Sequence, residues 1–388
     1  MLPMAASQFF VMIGILLIGY WLVFISPKIA MFPTTYNVFF CFMVVHALVT
    51  YGLVHADEFS FGIDAASEID ETTVAIDQER GRLVLRFFFN AVFAYALAAA
   101  IRTRRDFLLV SVALGVGFCF MMALSDRSSI SRGEDILRLT GGFLNPNDLG
   151  HTAMVVAVFN SLVVVDTRAG RILRIAGAAS LGVGIWGVVA SASRSAMAGL
   201  IVVLVVVIYY SSFRTMIRFL FGGLLVTAII GILLSSVVME AVALRVSIDT
   251  VRDTQGSMRI DILTDYLQHL TDYAILGVGL ARSIEVTKDS YTTWIPLIPH
   301  NAYLQTLVEW GCGGLLLFVL SLRSLLGRLT HCLKRPAPPC DAIVVGLLVS
   351  WCVIFLVVSW GARIFWVAWA LMGTYGYLNS EEATCRHL

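Results

Sequence analysis

Apolar runs of bilayer-crossing length recur along almost the whole of this 388-residue sequence. A helix needs about 20 apolar residues to cross a hydrocarbon core of roughly 30 Å. Eleven such spans are predicted, at about 8–26, 36–55, 83–101, 107–124, 149–165, 175–191, 196–211, 219–238, 301–322, 342–358 and 363–379. Charged residues make up only 14% of the chain, whereas a soluble domain carries roughly a quarter. The expected fold is an all-α polytopic membrane protein, a single integral membrane domain over residues 1–388.

Short connections rich in arginine set the expected orientation. Arg102, Arg104 and Arg105, then Arg168, Arg171 and Arg174, then Arg214 and Arg218, then Arg323, Arg328, Lys334 and Arg335 fall between alternate pairs of spans. The positive-inside rule makes these sides cytoplasmic, with the N-terminus outside and the C-terminus inside. The inner side then carries 14 Lys/Arg against 5 Asp/Glu and the outer side 13 against 20, with Glu309 inside a span. Nucleic acid is not an expected partner of that pattern. The seven cysteines form no CxxC pair, and no role is assigned to them.

Three outer segments hold most of the remaining polar chemistry. Residues 57–82 form an acidic outer loop without a compact metal-ligand pattern. Residues 125–148 pair Arg127, Arg132 and Arg138 with Gly141-Gly142 and Asn145-Pro146-Asn147. Asn145 and Asn147 suit a turn and a helix N-cap, and their amides suit sugar hydroxyls equally. Residues 239–300 form the longest outer loop, expected to be partly helical. Within it, RIDILTDYLQHLTDYAIL (259–276) has the spacing of an amphipathic helix lying along the bilayer surface, ended by Gly277-Val278-Gly279.

Two shorter features stand out. Arg194 lies between apolar stretches among small residues, a costly place unless it faces protein, water or an anion. PHNAYLQTLVEWGCGGLLLF (299–318) puts His300 and Asn301 at the mouth of a span, with Glu309 nine residues further in. On a continuous helix that separation is about 13–14 Å. Glu309 therefore cannot touch His300. A neighbouring arginine such as Arg194 or Arg363 is its expected partner, and Gly311, Gly313 and Gly314 suit a close helix contact.

The stretch His300, Asn301, Leu304, Glu309, Gly311, Gly314 resembles the signature of the O-antigen ligase and O-antigen polymerase superfamily. GGFLNPNDLGH (141–151), SRSAMAGL (193–200) and the run from Arg259 to Gly277-Val-Gly resemble three further segments of that family, in its order. The resemblance implies a GT-C-like, metal-independent membrane glycosyltransferase with no cofactor. It would take a glycan from undecaprenyl diphosphate and pass it to an acceptor hydroxyl on the periplasmic face of a bacterial inner membrane. His300 would be the general base and Arg259 a catalytic partner, with Arg194 and Arg282 binding the diphosphate. Asn145, Asn147, Asn301 and Glu309 would contact sugar or acceptor, or position other groups.

Within the family, one histidine-led segment after one large loop favours a ligase acting on lipid A-core over a polymerase. A transporter of a lipid-linked or anionic solute would hold its charges near the bilayer midplane. Here they gather at the outer edge.

Overall fold

The structure is a computed structural model that describes residues 35, 37–47, 71–124, 146–212, 217, 256–286, 299–330, 333, 337–358 and 363–385. Among these residues every regular element is a helix. They are α1 (Asn37–Ala47), α2 (Glu71–Ala100), α3 (Arg104–Leu124), α4 (Pro146–Val165), α5 (Arg171–Ala190) and α6 (Arg194–Tyr210). Then follow α7 (Gly256–Gln268), α8 (Leu270–Tyr273), α9 (Ser283–Val286), α10 (Ala302–Thr330), α11 (Pro339–Ile354) and α12 (Arg363–Cys385).

Helices α3, α4, α5 and α10 are long and apolar enough to cross a membrane. α1, α6, α11 and the Phe87–Ala100 part of α2 are apolar but shorter. The expected spans 8–26 and 219–238 lie outside the described residues. α2 begins at Glu71, so residues 71–82 of the acidic segment are helical.

Two expectations change. The amphipathic stretch 259–276 is two helices, α7 and α8, because His269 leaves helical geometry at φ −93°, ψ 15°. The span led by His300 is also two pieces. Gly311 adopts φ 67°, ψ −172° and breaks α10 into a half-helix, 302–310, and a longer continuation.

Helix–helix contacts follow from small residues. A Cβ at Gly184 of α5 would meet the Ala157 backbone nitrogen of α4 at 2.8 Å, so the two backbones touch directly. Aromatic rings fill the space between α10, α11 and α12, with Phe355 and Phe365 centroids 4.8 Å apart and Phe365 5.2 Å from Trp369.

Each end of the bundle is fixed by hydrogen bonds. At one end the Arg104 Nε donates to Asp166 (2.9 Å) and its Nη1 to Asn379 (3.2 Å). Asn379 in turn donates to Asp341 (2.8 Å), as does the Tyr375 hydroxyl. The guanidinium also lies 4.5 Å from the Tyr375 ring centroid. This network joins the starts of α3 and α11 to the ends of α4 and α12. At the opposite end lie the starts of α4, α6, α10 and α12, and with them Asn147, Arg194, His300 and Arg363.

Candidate active site

The site is assembled from two interlocked pairs of segments. In the first, the opening turn of α4 packs on the turn between α5 and α6. That turn needs Ala192 at φ 48°, and it buries Ser191 and Ser193 completely. A Cβ at Gly150 would meet Ser193 Cβ at 2.6 Å and Ser191 Oγ at 2.7 Å, so only glycine allows this approach. His151, fully buried, holds the same junction through Nε2 and the Ser195 hydroxyl, 2.9 Å apart. Arg194 is the first residue of α6 and is half-buried. Asn147 sits in the first turn of α4. Asn145 lies outside the described residues.

The second pair joins the Gly277-Val278-Gly279 turn to the break at Gly311. Gly311 interrupts the helical hydrogen bonds, and the turn supplies replacements. Val278 N–H donates to the Val308 carbonyl (2.8 Å), Gly279 N–H to that of Glu309 (3.0 Å), and Cys312 N–H to that of Ala274 (2.7 Å). Gly277 and Gly279 have φ 74° and 104°, which glycine adopts without strain. Ile262, Tyr266 and Tyr273 of α7 and α8 bury themselves against Leu304 and Val308 of the half-helix. The Tyr266 hydroxyl donates to the Ser283 carbonyl (2.8 Å), tying α7 to the residue after Arg282.

Glu309 stands at the centre of this joint, 1% exposed. Gln305 Nε2 donates to its Oε1 (3.0 Å), the Ser283 hydroxyl reaches the same oxygen at 3.5 Å, and the Ala281 backbone N–H bonds the carboxylate. These hydrogen bonds tie Glu309 to the segment that carries Arg282; the side chain of Arg363, one of its two expected partners, lies outside the described residues. The expected close helix contact at Gly311 is replaced by the approach of the turn.

His300 is exposed and lies just before the half-helix. Asn301 caps that helix: its Oδ1 accepts from the Leu304 N–H (3.0 Å) and its carbonyl from the Gln305 N–H (2.8 Å). The helix start is strapped to the end of α11, where the Phe355 carbonyl accepts from Ala302 N–H (2.7 Å) and the Cys352 carbonyl from the Tyr303 hydroxyl (3.0 Å). The same end of α11 reaches the first pair, with the Trp351 ring 6.0 Å from that of His151 and 5.5 Å from Phe355. Arg259 lies on α7, and Arg282 is half-buried beside Ser283.

Residues 179–319 match the family model described as O-antigen ligase. This match supports the O-antigen ligase and polymerase superfamily. The matched region takes in the Ser-Arg turn, α7, the Gly277–Gly279 turn and the half-helix led by His300. The α4 turn lies before it and is joined to it through Gly150 and His151. No curated protein matches the chain. The match supports the O-antigen ligase or polymerase family in general, and the four helices long and apolar enough to cross a membrane suit a multi-pass membrane protein.

His151, the last residue of the GGFLNPNDLGH segment, has no setting in the sequence comparable to that of His300; the structure shows it tying the start of α4 to Ser195.

Proposed function

We propose that this protein transfers a glycan from an undecaprenyl diphosphate carrier to a sugar hydroxyl of lipid A-core, at the periplasmic face of a bacterial inner membrane. His300 takes the proton of the acceptor hydroxyl as that oxygen attacks the anomeric carbon. The bond from that carbon to the diphosphate oxygen breaks, and undecaprenyl diphosphate leaves with the added negative charge. Arg194, Arg259 and Arg282 bind the diphosphate, where guanidinium forks match phosphate oxygens and stabilise the developing charge. Asn145 and Asn147 contact the sugar. Asn301 and Glu309 act as positioning residues.

What carries this reading is the docking of the Gly277–Gly279 turn at Gly311. It fixes the segment that carries Arg282 to the half-helix that His300 leads, which supports a base and an anion-binding arginine on one joined unit. Imidazole is the side-chain type suited to a general base near neutrality, and His300 stands exposed at the helix mouth.

The test is a liposome assay with an undecaprenyl diphosphate-linked repeat unit and lipid A-core as acceptor. Core-linked glycan is the expected product, and His300→Ala lowers its rate by about 10²–10⁴-fold. Lengthening of the carrier-linked chain in place of transfer to core would make the protein a polymerase. Wild-type rates in His300→Ala, Arg194→Ala and Arg259→Ala together would remove the site assignment.

A further inference from the structure

The turn at 274–279 sits far from either end of the helices it touches. α1 and the longer part of α10 run antiparallel, and their contacts form a ruler. The Ser321 hydroxyl donates to the Thr35 carbonyl (3.0 Å), and the Phe318 ring lies 5.5 Å from Phe39. A Cβ at Gly314 would meet Phe42 at 3.4 Å, and His46 Nε2 bonds the Leu276 carbonyl at 2.6 Å. Thr35 and Ser321 mark one membrane boundary, because exposed Arg323 follows directly. From Thr35 to His46 is about 16 Å of helix, and from Ser321 to Gly311 about 15 Å. Both rulers put Leu276 near the middle of a hydrocarbon layer of roughly 30 Å. The half-helix 302–310 adds about 13 Å between that level and His300.

Irregular backbone is tolerated at such a depth only where protein satisfies its polar groups. That condition is met by the broken helix. Val308, Glu309 and Cys312 bond the turn as described, Gly277 N–H donates to the Tyr273 carbonyl (2.8 Å), and the Leu276 carbonyl has His46. The side chains point the other way: Ile275 and Leu276 are each 76% exposed. The two helices beside them also expose apolar residues, Val45 on α1 and Leu316 and Val319 on α10.

We propose that residues 274–279 are a re-entrant turn that dips into the bilayer, with Ile275 and Leu276 seated among lipid acyl chains. The broken helix at Gly311 exists to receive it. α7 and the Ala281–Ser283 segment are its two arms, both bound to the half-helix. This placement is independent of the transfer chemistry.

Nitroxide labels at Ile275→Cys and Leu276→Cys, in a background with the native cysteines replaced, test it in vesicles of phosphatidylethanolamine and phosphatidylglycerol. Both labels are expected to collide with oxygen and to be shielded from a water-soluble nickel chelate, with the reverse at His300→Cys, exposed at the mouth of the half-helix. Nickel access at 275 and 276 equal to that at 300 would overturn the proposal. So would low collision rates with both reagents, which mean protein cover. A second measurement keeps all native cysteines: Ile275→Arg is expected to lower the melting temperature while Gln268→Arg leaves it unchanged. An Ile275→Arg protein that melts like wild type contradicts the placement.

Discussion

Gly277 and Gly311 make room for each other. A Cβ on Gly277 would stand 2.5 Å from the Glu309 carbonyl oxygen, and a Cβ on Gly311 would stand 2.2 Å from that of Ile275. Both residues also have positive φ, at 74° and 67°. Neither contact can relax, because backbone lies on both sides. Gly311→Ala and Gly277→Ala should each lose at least about 1–3 kcal/mol from backbone strain alone. Thermal unfolding in detergent measures the loss. Transfer activity should fall with it, since the arginine-bearing segment comes off the half-helix.

Asn301 lends itself to a graded test. Its side chain caps the half-helix at the position next to His300. Asn301→Ala should cost about 1 kcal/mol of helix stability, and Asn301→Asp or Asn301→Ser should recover most of it. Rates of glycan transfer in the three variants should follow the same order. Equal rates in all three would mean that the cap has no bearing on His300.

Glu309 should tolerate a neutral isostere better than truncation. Gln305, Ser283 and the Ala281 N–H all donate to its carboxylate. Glu309→Ala strands these buried donors at about 1–3 kcal/mol each. Glu309→Gln keeps an acceptor in place and should lie between wild type and alanine. Hydrogen exchange over 277–283 reads the outcome directly: fast in the alanine variant, slow in the glutamine one. If the glutamine variant exchanged as fast as alanine, the joint would depend on charge and not on hydrogen bonding.

The Arg104 network is a stability element and not part of the site. Arg104 and Asp166 have side chains 14% and 6% exposed. Removing one partner of a buried pair costs about 3–5 kcal/mol, so Arg104→Ala and Asp166→Ala should lower the melting temperature clearly. Transfer per folded molecule should be unchanged, because the network lies at the opposite end from His300.

Several features were legible in the sequence because they depend on composition and local pattern. Apolar length pointed to helices long enough to cross a membrane, and the Gly277-Val278-Gly279 stretch was visible as a helix stop. His300 and Arg194 were singled out because polar groups at the ends of apolar spans are costly wherever the chain goes. Tertiary structure alone decided how these parts meet. No pattern along the chain tells that Gly311 opens a helix and does not pack against one, since glycine serves both. Nor does it tell that Glu309 bonds Gln305 and Ser283, because a buried carboxylate accepts from any donor the fold supplies. The helices were written into hydrophobic length. The joint between turn and broken helix arises only when segments about 35 residues apart exchange backbone hydrogen bonds.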